Sequence, residues 1–272
     1  MSAVDTLVLS HFSLRYASFE ERVAAAAAAG IDAIGLFVVE YAQLRRERSV
    51  TELRSVLDRH GVRLLEIEVL RPWATDEASA ERLGGFVDHV LEMADELGAD
   101  HLMVTGDRTD DFEADVDTLG RFVDRLAPHG VRACLEFLPF TNIPDADSAA
   151  ALCAAVDRPN LGICADNWHH ERGANDLDQI RRAAPWVNLI QLDDGPAEPV
   201  LDDYKQDCLE YRVPPGEGDF DVEGFLRVLF EEGVDTPVSI EVISTELQAL
   251  PHDEAARKIV DGTRAVLARS RA

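Results

Sequence analysis

Basic residues are scarce in this chain: 26 lysines and arginines stand against 52 aspartates and glutamates, a formal net charge of −26 over 272 residues. Such an acidic surplus repels phosphate backbones and anionic lipid surfaces, so nucleic acid and membranes are poor partners. No apolar run approaches the roughly 18 residues that would span a bilayer. Cysteine is also sparse, and Cys134, Cys153, Cys164 and Cys208 lack any CxxC spacing. That argues against a disulfide frame or a cysteine zinc site and leaves buried free thiols as the expectation. There is no GxGxxG loop and no Walker A motif, the usual phosphate cradles of nucleotide-binding sheets. The first ten residues carry no basic segment and no small-residue cleavage pattern, so the expected address is the cytoplasm.

What is present is a repeated punctuation. A helix-like stretch ends in glycine, one or two polar residues follow, and a short apolar or β-branched run comes next. The glycines fall at Gly30, Gly61, Gly98, Gly130 and Gly233, spaced 31 to 37 residues apart, with room for further units in the last gap. Glycine suits the end of a helix because the closing residue often adopts a left-handed backbone, which costs a residue with a Cβ more. Strands are expected over residues 7–9, 33–37, 63–68, 101–104, 132–136, 161–165, 187–191 and 237–241. Helical spacing of apolar residues marks 19–29, 53–59, 86–97, 119–127, 225–230 and 255–267. The strand runs carry few charges, as parallel strands covered on both faces do. Strict alternation leaves an open doubly wound sheet or a closed barrel, and eight near-equal units without a nucleotide loop favour an α/β fold of the (β/α)₈ barrel type. Residues 1–272 are expected to form one domain, with a Pro-, Gly- and acid-rich insertion at about 193–219 belonging to the active-site mouth.

In a barrel, side chains at the C-terminal strand ends converge on one mouth. Here the last four expected strands end at or next to Glu136, Asp166, Gln191 and Glu241, one oxygen donor each. A single glutamate at a strand end is more often a solvated rim residue, but four donors in register are not so easily dismissed. Three carboxylates packed together repel one another unless a cation sits among them. Three carboxylates and an amide oxygen suit a hard or borderline cation, with Mg²⁺ or Mn²⁺ first and Co²⁺ or Zn²⁺ compatible.

The motifs in order are Leu135-Glu136, Asp166-Asn167-Trp168-His169, Gln191-Leu192-Asp193-Asp194, Arg212 followed by the run from Pro215 to Asp221, and Ser239-Ile240-Glu241. Together they resemble the xylose-isomerase-like barrels, a group of sugar and sugar-phosphate isomerases, epimerases and related dehydratases, over nearly the whole chain. The resemblance implies that Glu136, Asp166, Gln191 and Glu241 ligate the metal and that His169 faces the substrate. Many epimerases of the group carry His where this chain has Gln191. Gln there resembles the 3-dehydroshikimate dehydratase branch, whose arginines after the third strand and before the PGxG turn match Arg71 and Arg212.

The expected chemistry is removal of a proton beside a metal-polarised carbonyl of a small polyhydroxylated ketone, with His169 and either Glu136 or Glu241 moving protons. Arg71 and Arg212 would hold a carboxylate on the substrate, and Trp73 and Trp168 would wall the pocket. A 3-dehydroshikimate-type dehydratase leads, with a sugar isomerase or epimerase as the alternative and a non-catalytic binding subunit as the reading from another class. An endonuclease IV-like role would need more histidines and a basic face. A homo-oligomer is compatible with the sequence.

Overall fold

The computed structural model describes residues 2–73, 77–107 and 111–271, with backbone only at 77–79. Eight parallel strands close on themselves: β1 Leu7–Leu9, β2 Ala33–Phe37, β3 Arg63–Leu70, β4 His101–Thr105, β5 Arg132–Glu136, β6 Leu161–Asp166, β7 Val187–Leu192 and β8 Val238–Ile240. Each pairs with its sequence neighbour, and β8 returns to β1 with Leu7 opposite Val238 and Leu9 opposite Ile240. The expected (β/α)₈ barrel is therefore the observed one.

Two layers of apolar packing hold it. The larger lies between strands and surrounding helices and includes Leu9, Leu36, Leu102, Leu135 and Ile163 from the strands and Val23, Leu53, Leu119, Phe225 and Ile259 from the helices. The barrel interior contains two small apolar groups, Val8, Ala33 and Leu65 in one and Met103, Cys134, Cys164 and Leu189 in the other. All four cysteines are buried and free.

The glycine punctuation marks real helix ends. Gly30, Gly61, Gly98, Gly130 and Gly233 all have positive φ, from +64° to +80°. The repeat is silent between β5 and β6 because Asp157, at φ +49°, closes the helix Ala146–Val156 in place of a glycine. Aspartate tolerates the left-handed region better than most residues, so the turn forms without the sequence signal. Helix starts absorb part of the acidic surplus. Asp111, Asp145, Asp176 and Asp221 each accept a backbone N–H as N-caps, and Ser18 with Glu21 and Ser49 with Glu52 form capping boxes.

Several boundaries move. The strand expected over 63–68 runs on to Leu70, and β8 stops at Ile240, so Glu241 lies one residue beyond it. The helix Glu77–Leu97 begins well before the expected residue 86, and Ala146–Val156 escaped notice because its alanine-rich sequence shows weak amphipathic contrast. Short helices Val38–Leu44, Asn167–Glu171, Tyr204–Glu210 and Thr245–Gln248 all follow the C-terminal ends of strands, building up that face of the barrel. Tyr204–Glu210 lies inside the stretch 193–219, which is thus not wholly irregular. No helix among the described residues is long and apolar enough to cross a membrane.

At Gly61 a Cβ would meet nothing within 4 Å, so the cost of a side chain there is conformational alone. Gly61→Ala is expected to lower unfolding free energy in urea by about 1 kcal/mol, and Gly61→Asn by less. Equal stability of all three proteins would contradict a left-handed cap at this position.

Candidate metal centre

Asp166 ends β6 and also caps the short helix that follows. Its Oδ1 accepts the backbone N–H groups of Trp168 at 2.7 Å and His169 at 3.4 Å. The cap uses one oxygen and leaves Oδ2 3.7 Å from His169 Nε2 and 3.3 Å from Arg212 Nη1. Glu136, at the end of the neighbouring β5, brings Oε1 to 3.2 Å from the same imidazole nitrogen. One donor atom from each of Glu136, Asp166 and His169 lies within 4.8 Å of the others, and all three residues are buried.

Glu241 enters from the far side. Its Oε2 lies 3.1 Å from Arg212 Nη1, the nitrogen that Asp166 also approaches, and its Oε1 accepts a long hydrogen bond of 3.5 Å from the Ser10 hydroxyl. Burial pushes the Glu241 carboxyl well above its ordinary range; Glu136 and Asp166 add to this, against the pull of Arg212. Gln191 stands beside Asp166 in the strand register and is fully buried. Its amide oxygen accepts from the Cys164 thiol at 3.6 Å and its nitrogen donates to the Met103 sulfur at 3.5 Å. Sulfur is a weak partner for either group, so the amide is under-satisfied for so enclosed a place.

A divalent cation fits these residues. Glu136, Asp166, Glu241 and Asp193 bring four carboxylates to this region against the single guanidinium of Arg212. The deficit of positive charge, together with a weakly held amide oxygen, is what a hard dication would correct.

Arg212 is buried and committed: Nη1 pairs with Asp193, Asp166 and Glu241, and Nη2 lies 3.0 Å from the Cys208 sulfur. Trp168 lies fully buried behind it, with the guanidinium 5.3 Å from the ring, and does not reach the cavity wall. The cavity in front holds about 170 Å³ and is lined by Glu136, His169, Tyr204, Lys205, Arg212 and Glu241, with apolar neighbours. Arg71 is exposed and lines an adjacent cleft with Trp73 and Arg82; the two spaces share Val69. The structure thus gathers Glu136, Asp166, His169, Glu241 and Arg212, sets Gln191 beside them, and leaves Arg71 at the margin.

Sequence reasoning passed over several participants. Asp193 is fully buried, accepts from the Asn167 side chain at 3.1 Å and anchors Arg212. Asp194 staples the insertion by accepting the N–H groups of Gly195, Gly216 and Phe220. Glu66 and Glu68 on β3 are wholly buried inside the barrel, where Ser239 donates to Glu66 at 2.6 Å, and the Ser10 hydroxyl and His11 N–H donate to Glu68. A Cβ on Gly35 would collide with Glu68, so the glycine on β2 makes the room. Glu-Ile-Glu in a strand covered on both faces was the available signal, since period-two glutamates there can only face inward.

The chain matches the model of the xylose isomerase-like TIM barrel family over residues 23–266. Among curated proteins it is 27% identical over 261 residues to a 3-dehydroshikimate dehydratase of Pseudomonas aeruginosa, covering 91% of this chain and 39% of that one. It is 28% identical over 148 residues to an inosose isomerase of Bacillus subtilis, covering 53% of this chain and 51% of the other. The chain therefore spans about half or less of the length of these relatives. The fold superposes on a crystal structure of IolI protein with a bound zinc atom at a TM-score of 0.87 and 21% identity, covering 97% of this chain and 99% of that one.

Burial pushes the Glu68 carboxyl up to about 7, against the hydrogen bonds from His11 and Ser10. The folded state therefore holds this proton more tightly than the unfolded chain, and the stability it contributes, full below pH 4.5, is lost as pH rises through 7. Glu68→Gln keeps an acceptor for the His11 N–H and, with its amide nitrogen donating to the Ser10 hydroxyl instead of accepting from it, retains both contacts without the charge. It is expected to exceed the parent in urea stability at pH 8 by roughly 1–3 kcal/mol, with the gap closing below pH 4.5. A gap that does not change with pH would sink this assignment.

Proposed function

The chain belongs to the xylose isomerase-like TIM barrel family, and on that premise we propose that it is a divalent-metal-dependent enzyme that removes a proton beside a carbonyl of a small polyhydroxylated ketone. The observation that carries this is the meeting of an imidazole nitrogen with two carboxylates, 3.2 Å from Glu136 and 3.7 Å from Asp166, on the wall of a cavity that also bears Glu241. Glu136, Asp166, Gln191 and Glu241 would hold the cation. The donor set favours Mg²⁺ or Mn²⁺. The zinc in the IolI structure supports a divalent ion of some kind and keeps Zn²⁺ and Co²⁺ in view. When bound, such an ion supplies Lewis acidity toward a carbonyl or hydroxyl oxygen and so acidifies the adjoining C–H.

The chain's own groups do the rest. His169, with Glu136 or Glu241, moves protons on the substrate. Arg212 lines the cavity with its charge already shared among Asp166, Asp193 and Glu241, and Arg71, in the adjoining cleft, is the arginine open to an anionic substituent. Trp168 supports substrate binding from behind, by fixing the plane of Arg212. In this reading residues 1–272 form one barrel domain, with 193–219 as its active-site insertion.

A 3-dehydroshikimate-type dehydration is the reaction we favour, supported by the dehydratase relative, whose match extends over 91% of this chain. The inosose isomerase relative supports isomerisation or epimerisation as the second reading, because the proton abstraction is common to both. A small polar substrate agrees with the strongly acidic surface, which disfavours nucleic acid, and a cytoplasmic address goes with such metabolism.

Saturating Mn²⁺ or Mg²⁺ is expected to raise the melting temperature of the purified protein by about 5–10 °C at a hundredfold excess over the dissociation constant. Asp166→Asn, which preserves the helix cap, is expected to abolish the shift. Proton NMR in D₂O with either metal then separates the readings. Loss of water from 3-dehydroshikimate supports the dehydratase, exchange confined to ketoses or ketoinositols supports the isomerase, and no shift with no exchange supports a non-catalytic binding subunit.

A further inference from the structure

The insertion 193–219 returns a tyrosine to the site. Tyr204 begins the helix Tyr204–Glu210, and its hydroxyl lies 2.6 Å from His169 Nδ1, with the two rings near parallel at 22° and 6.1 Å between centroids. The other ring nitrogen, Nε2, is the one that approaches Glu136 and Asp166.

This contact is braced from several directions. Asp203 caps the helix by accepting the N–H of Gln206 at 2.9 Å. Arg172, just beyond the short helix that carries His169, donates to the carbonyls of Pro196 at 2.7 Å and Ala197 at 3.1 Å. Its guanidinium sits 4.8 Å from both the Trp168 and Phe220 rings. Asp207 accepts the N–H groups of Val200 and Leu201 and lies 3.6 Å from Arg172 Nε. Phe140 packs edge-on against Tyr204 at 5.5 Å. The hydroxyl is therefore held at Nδ1 by the surrounding fold rather than by chance rotamer choice.

We propose that Tyr204 is a positioning residue that donates its hydroxyl proton to His169 Nδ1, so that the neutral imidazole carries its hydrogen on Nε2 and presents an N–H donor to the cavity. A neutral imidazole has one donor and one acceptor nitrogen, and the partner of one nitrogen decides the other. The buried Tyr204 hydroxyl has Nδ1 as its hydrogen-bond partner at 2.6 Å, and a hydroxyl so enclosed gives its hydrogen to the ring nitrogen it meets. Nδ1 is then the acceptor, and the phenol is the donor that meets it. Burial pushes the Tyr204 phenol up, which keeps its proton in place for that bond. His169 thereby acts at an oxygen of the substrate as a hydrogen-bond donor, and the carboxylates are left to accept the proton from carbon. This assignment rests on the reading of His169 as a residue of the reacting site.

Nitrogen-15 NMR of ring-labelled histidine in the metal-free protein at pH 8 tests it, with the His169 resonances identified by their loss in His169→Asn. The wild type is expected to show an acceptor-type Nδ1 and a protonated Nε2. Tyr204→Phe, which keeps the ring packing, is expected to mix the tautomers. With whichever substrate the wild type turns over, the same variant is expected to lower kcat about tenfold while KM moves by less than about twofold. A protonated Nδ1 in the wild type, or an unchanged tautomer in Tyr204→Phe, would overturn the proposal, and the wild-type spectrum decides even if the variant does not fold. A protein with the expected tautomer that neither binds Mn²⁺ nor exchanges substrate protons would support the positioning role while defeating the metal-enzyme reading.

Discussion

One buried guanidinium organises the C-terminal face of this barrel. Arg212 is drawn to Asp166 at the end of β6, Asp193 just past β7 and Glu241 just past β8, and so ties three successive strand ends together. Burying any one of these charges alone would be costly, so they persist as a group in which each is compensated by the others. The compensation is incomplete, because the Arg212 guanidinium is shared by three carboxylates. That imbalance makes the place receptive to a dication, and the under-satisfied amide of Gln191 points the same way.

The loops around this cluster serve to hold Arg212 and His169 in place. Asp194 gathers the backbone of the PGEG turn, Arg172 ties the insertion to the helix that carries His169, and Asp193 is fixed by Asn167, whose side chain both donates to Asp193 and accepts its N–H. On the opposite side of the interior, Ser10 links Glu68 to Glu241, and Gly35 clears the space Glu68 occupies. Polar groups inside the barrel are thus joined into a network reaching from β1 to β8, a costly arrangement unless nearly every member finds a partner. Glu66 Oε1 is one atom that finds none among the described residues.

Much of the fold could be read in advance from local rules. Glycines at helix ends marked five of the units because left-handed backbone selects glycine over most other residues. The same reading missed the end at Asp157, where a tolerated side chain replaced the glycine, and it missed Ala146–Val156, where alanine carries little periodic contrast. At the site, the strand-end residues Glu136, Asp166, Gln191 and Glu241 could be nominated because parallel strands deliver their C-terminal side chains to one mouth. Arg71 could be nominated too, but its exposure and its place in the adjoining cleft come from the path of the chain after β3, which no local pattern encodes.

Period, punctuation and strand-end chemistry belong to the sequence alone: they determined an eight-fold strand-helix alternation that favours a barrel and which residues could carry oxygen donors, because hydrogen-bond geometry and steric limits act within a few residues. Which of those donors share a nitrogen of Arg212, that Trp168 lies behind the guanidinium, and that Tyr204 meets His169 across 35 residues of chain were decided only by tertiary structure. Such contacts depend on the summed path of loops and on burial, and charge and packing settle them only once the barrel has closed.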